Sequence, residues 1–104
     1  MRASVLVVAA VSLAGISLES KANNDHELCS LRSQLAEQIM QLRQEGTPMR
    51  VAMDNVNQSG EASDLTIAMI KMAYEETAAR SDRYKQLQIA EFGNVFYQHC
   101  MNGD

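Results

Sequence analysis

The stretch LCSLRSQLAEQIMQL, residues 28–42, decides the fold class. Leu28, Leu31, Leu35, Ile39 and Leu42 recur at steps of three and four, with Arg32, Gln34, Glu37, Gln38 and Gln41 between them. That is the period of one face of an α-helix; a half-buried strand would alternate at every second residue. Just upstream, Asn24 followed by Glu27 reads as a capping box, in which each side chain satisfies a free amide of the first turn. Gly46 reads as the stop, since a helix commonly ends on a residue in the left-handed conformation that glycine adopts without strain.

The same period continues downstream. Thr47-Pro48 restarts the chain as a helix, with Thr47 as cap and Pro48 at the first helical position. Met49, Ala52, Met53 and Val56 make one face of this short second helix, and Asn57-Gln58-Ser59-Gly60 has the chemistry of a turn. Ser63 or Asp64 caps a third helix expected to run to about Ala79. Its apolar residues, from Leu65 through Met69 and Ile70 to Tyr74, cover most of the circumference, the pattern of a central helix. Ser81 or Asp82 caps a fourth helix that reaches Cys100. Gly93 interrupts it at a cost of about 1 kcal/mol relative to Ala, and marks a point where another helix approaches closely. The expected fold is all-α: a small four-helix up-down bundle with three long helices and one short, since connections this short make neighbours antiparallel.

Upstream, Met1-Arg2 is followed by Ala3 to Leu18 without a charge, and Ser20-Lys21-Ala22 sets small residues at −3 and −1 of a cut after Ala22. Residues 1–22 are therefore expected to be an export signal, and 23–104 a single helical domain. The 16 residues of the apolar run fall short of the roughly 20 that span a bilayer, so no stable membrane span is expected. Removing the leader takes Arg2, Glu19 and Lys21 and leaves 82 residues with 7 basic and 12 acidic side chains, a formal charge of −5. Phosphate contacts need clustered Lys and Arg, so a nucleic-acid partner is excluded. The acidic balance favours basic or neutral partners.

A domain of this size sits near the limit at which a core holds without a staple. Cys29 in the first turn of the first helix and Cys100 in the last turn of the fourth fall at the same pole of an up-down bundle. Two cysteines in a small exported domain point to a structural disulfide. Closing that 72-residue loop stabilises the fold by about 4.4 kcal/mol in the chain-entropy account. A redox-active pair is the alternative, although such pairs are usually close in sequence.

The competing chemistry is a metal site. His26 precedes Cys29 by one helical step and His99 adjoins Cys100, so two zinc- or copper-type ligand pairs meet if the termini do. Against it, oxidation consumes both sulfurs, and neighbours such as His99 and Cys100 point about 100° apart on a helix. No phosphate loop, haem attachment or zinc-protease motif is present, and no catalytic residue or cofactor is assigned. Glu75 and Glu76 are sequence neighbours that do not face each other, whereas Glu91 either pairs with a cation such as Arg43 or faces solvent. The methionines Met40, Met49, Met53, Met69, Met72 and Met101 follow helical spacing, as packing residues do.

One longer pattern carries a resemblance. Its parts are Cys29, Arg43-Gln44-Glu45-Gly46-Thr47-Pro48, Ala73-Tyr74-Glu75, and Glu91-Phe92-Gly93-Asn94-Val95-Phe96-Tyr97-Gln98-His99-Cys100. The chain resembles a group of small exported proteobacterial proteins with one Cys near each end of a single helical domain. The resemblance implies export, helices and the terminal disulfide, and carries no activity with it. In that group a Pro often follows Ala-Tyr-Glu; here Glu76-Thr77 stands instead and is expected to let the helix continue. The functional expectation is an exported, non-enzymatic module that binds a protein or a small apolar ligand. Its groove is expected beside the short second helix, edged by Met49 and Met53. A zinc- or copper-binding protein using His26 and His99 is the alternative.

Overall fold

The computed structural model describes residues 25–60 and 62–103. The expected leader and Asn24 of the capping box lie outside them. Four helices follow in order: α1 over 25–44, α2 Met49–Ser59, α3 Asp64–Glu75 and α4 Asp82–Met101. They form the small all-α bundle that the period requires, and a Cys29–Cys100 disulfide links the outer ends of α1 and α4.

The chain turns where glycine allows it. Gly46 takes φ 86° and closes α1 with two reversed bonds, Gly46 N–H to Arg43 O and Thr47 N–H to Leu42 O. This is a Schellman closure, and it engages the amide of Thr47 in ending α1. The start of α2 therefore falls one residue later than expected: Pro48 is the cap, and its carbonyl takes the amides of Val51 and Ala52. At the far end, α2 absorbs Asn57, Gln58 and Ser59, and only Gly60, at φ 77°, makes the turn. Ser63 and Ser81 cap α3 and α4, accepting from the amides of Thr66 and Tyr84.

The largest departure from expectation is the end of α3. The helix stops at Glu75, not near Ala79, because three of the next four residues, Glu76, Thr77 and Ala79, take tertiary partners in place of their own turn. Arg43 Nε donates to Glu76 O at 3.0 Å, Gln88 Nε2 to Thr77 O at 3.2 Å, and the Ala79 amide to Gln44 Oε1 at 2.9 Å. A segment whose main-chain groups are satisfied by tertiary partners has no need of helical ones.

Helices α1 and α4 run antiparallel along their length. Position 29 meets 100, Ser33 Oγ donates to Gly93 O at 2.9 Å, and Gln44 Nε2 donates to Gln88 Oε1 at 2.6 Å. The close approach expected at Gly93 is present: a Cβ there would lie 2.7 Å from Oε2 of Glu37, so any larger residue displaces that side chain. The core draws on every helix, with Ile39 and Met40 from α1, Val56 from α2, Met69 and Ile70 from α3, and the edge-to-face pair Phe92–Phe96 from α4. No helix among the described residues is long and apolar enough to cross a membrane.

Two faces differ from the sequence reading. In α1 the buried line runs through Cys29, Ala36 and Met40, while Leu28 and Leu31 are about three-fifths exposed. The disulfide turns Cys29 inward and carries those leucines out to solvent. In α3, Thr66, Met69, Ile70 and Ala73 face the core, but Leu65, Ala68 and Met72 stay exposed. The helix expected at the centre of the bundle is thus a wall of it.

Candidate functional site

Leu65, Ala68 and Met72 stand at helical spacing on α3, and each is exposed. Opposite them α4 presents Val95, Phe96 and His99, and α1 contributes Arg32 at the rim. Between these walls lies a groove of about 320 Å³ that reaches Cys100. It continues past Val95 into a second stretch of about 380 Å³, floored by Phe92 and walled by Leu87 and Tyr84 on α4. Glu76 and Glu91 edge that second stretch. The groove thus has an apolar lining, with Arg32 and His99 towards the disulfide, Glu91 midway and Glu76 at the other end.

The apolar lining is real surface: Leu65 is 37%, Met72 43%, Val95 38% and Leu87 48% exposed. A small domain rarely leaves large apolar side chains in a contiguous strip unless something covers them. The reason they are not buried is geometric. Ile70, Phe92 and Phe96 belong to the core beneath, and no further helix among the described residues lines the groove over them. The groove was not anticipated from sequence, because the apolar positions around α3 were all assigned to the core. The signal that could have found it was the surplus: α3 and α4 carry more large apolar residues than one buried face each can hold.

The residues singled out from sequence fall as follows. Cys29 and Cys100 are joined, with Cα atoms 5.4 Å apart; Cys29 is buried and Cys100 half-buried against the groove. His26 Nδ1 lies 2.8 Å from the Tyr97 hydroxyl and its ring meets Tyr97 edge-on, so the structure gives His26 an aromatic partner on α4. His99 lines the groove. Among the described residues, no group of three or more His, Cys, Asp or Glu side chains converges as a metal ion would need. Met53 packs against the core, whereas Met49 is 37% exposed on α2. Glu91 is exposed at the groove edge; Arg43 instead holds Glu76 O and lies 5.3 Å over the Tyr74 ring.

The pole away from the disulfide holds a hydrogen-bonded cluster centred on buried Gln44. Its Oε1 accepts from Ala79 N, its Nε2 donates to Gln88 Oε1 and contacts Met40 Sδ at 3.3 Å, and its carbonyl accepts from Lys85 Nζ at 2.7 Å. Beside it the Tyr74 hydroxyl donates to Thr47 O at 2.6 Å. Burial pushes the Tyr74 phenol above its ordinary 10.0, and the Arg43 charge pulls the other way more weakly. No buried side-chain N or O among the described residues lacks a partner. This cluster is fully spent on holding the fold, whereas the α3–α4 groove keeps exposed apolar side chains. Comparisons with family models, curated proteins and solved structures find no match in any of the three.

Proposed function

We propose that the protein is an exported, non-enzymatic helical module whose α3–α4 groove covers an apolar surface of its partner. The observation that carries this reading is the strip Leu65, Met72, Val95 and Leu87, each more than a third exposed along a single seam. Burying apolar surface there stabilises a complex by about 25 cal/mol for each Å² removed from water. Methionine at the centre of the strip suits an irregular partner, because an unbranched, polarizable side chain repacks at little strain. Export is supported by the disulfide, which persists in oxidising compartments, and by the leader composition of residues 1–22.

The test uses the neutral apolar dye Nile red. Saturable binding at one site is expected, with a blue-shifted emission. In the variant Met72→Asp with Val95→Asp that binding disappears while the melting temperature changes little, since both side chains are on the surface. Dye binding that is absent from the parent protein, or that survives in the double variant, overturns the reading.

A further inference from the structure

We infer that the occupant of the groove is a cationic amphipathic helix of three to four turns, lying antiparallel to α3. This rests on the groove being a docking surface and specifies what docks.

Shape comes first. The lining runs from Leu65 to Met72 on α3, with Glu76 just beyond the end of that helix, and from Tyr84 to His99 on α4. At 1.5 Å per residue these walls are about 11 and 22 Å long. Two stretches that share Val95 make a trough along α4, longer than a compact ligand needs and matched by a helix of about 11–15 residues that also rests on the shorter α3 wall. The walls are themselves antiparallel helices whose exposed apolar residues recur at turn spacing. A third helix laid along such a seam meets them through its own i, i+3, i+4, i+7 stripe, as helices pack in bundles and in peptide-binding grooves.

Charge then selects among helices. The ionised side chains in the lining are ordered along it, Arg32 at the end near the disulfide, Glu91 midway and Glu76 at the far end. The dipoles of α3 and α4 oppose each other and largely cancel, so these side chains set the local field. A helix whose positive N-terminal end lies by Glu76, whose N-terminal half passes Glu91, and whose C-terminal carbonyls lie by Arg32 is matched along its length. That direction is antiparallel to α3. The −5 charge of residues 23–104 adds a long-range preference for a basic partner. It also disfavours a second copy of this chain: two such copies repel, and Glu91 sits midway along the stripe of α4, where a two-fold axis would set it close to its own counterpart.

Three fluorescein-labelled 14-residue peptides with one shared Leu stripe test this by anisotropy. The first carries Lys in its N-terminal half, the second carries the same Lys residues in its C-terminal half, and the third has Glu in place of every Lys. The first is expected to bind most tightly, the second about threefold and the third about tenfold or more weakly. Glu76→Gln with Glu91→Gln should weaken the first peptide and narrow its advantage over the second, while circular dichroism and melting stay unchanged. The first peptide should also displace Nile red. Equal binding of the Lys and Glu peptides, with the dye still displaced, overturns the charge assignment and leaves the groove reading intact. A dye site that no peptide displaces, or one lost by self-association in sedimentation at the same protein concentration, overturns the helical occupant. Failure of the dye itself to bind overturns the groove reading beneath it.

Discussion

At one pole of the bundle a single covalent bond, Cys29–Cys100, joins α1 to α4. At the other, α1 is held to α4 and to the α3–α4 connection by hydrogen bonds through Arg43, Gln44, Lys85 and Gln88. The surroundings of the two ties differ accordingly. A neutral hydrogen bond contributes about 1 kcal/mol net, and its partners must be shielded and fully matched. Gln44 is 4% exposed, and the chain of α3 is bent out of its helix to meet it. A disulfide acts mainly on the unfolded chain, and although Cys29 itself is buried, the bond does not depend on shielding of its neighbours. Around it Leu28, Leu31 and Met101 remain largely exposed, and the groove opens directly against Cys100. The covalent tie holds its pole with apolar side chains left exposed around it, whereas the polar tie engages the buried polar groups of its own.

Breaking the covalent pole should have the largest effect. Converting Cys29 and Cys100 together to Ser is expected to lower the free energy of unfolding by about 4 kcal/mol. Urea denaturation of the parent protein with and without reductant measures the same quantity. A midpoint unchanged by reduction would mean that the hydrogen-bonded pole alone sustains the fold.

Gln44→Ala attacks the other pole and should cost about 2–3 kcal/mol, because the Ala79 amide and one end of Gln88 lose their partner. The Lys85 contact survives, since it goes to the main-chain carbonyl. Amide exchange at Ala79 should rise well before exchange in the core of α4. Exchange that stays slow at Ala79 would show that the bend after Glu75 holds without Gln44.

The smallest expected effect sharpens the polar side of the contrast. Tyr74→Phe removes the bond to Thr47 O and should cost about 1 kcal/mol near neutrality. The folded-state pKa of Tyr74 lies above its unfolded value of 10.0 because burial favours the neutral phenol. Its contribution is therefore complete below pH 10 and is lost as pH rises through the folded-state value. Denaturation midpoints between pH 9 and about 11.5 should fall more steeply in the parent than in the Phe variant. Parallel curves would place the alkaline loss elsewhere.

Local signals were legible in the sequence, and tertiary ones less so. Gly46, Gly60, Ser63 and Ser81 stop and start helices by chemistry confined to a few residues, and each sits at a helix end in the structure. The pairing of Cys29 with Cys100 followed from bundle topology and size. The end of α3 was not legible, because nothing within residues 76–79 forbids a helix. What stops it lies on α1 and α4, more than thirty residues away for Arg43 and Gln44. The groove escaped for a related reason. Periodicity shows that a residue lies on an apolar face without showing whether another helix covers it, and Leu65 and Met72 read the same as Met69 and Ile70.

The position of the two cysteines has one more consequence, in the number of molecules that unfolding produces. Cys29 belongs to the half made of α1 and α2, and Cys100 to the half made of α3 and α4. A protease that nicks the connection after Gly60 therefore yields two helical hairpins that remain one covalent species. The nicked protein refolds as a unimolecular process, with a stability independent of dilution. Reduction then divides it into two chains, and reassembly becomes a bimolecular event governed by concentration. The same bond that closes the bundle thus sets its reaction order once the chain is cut.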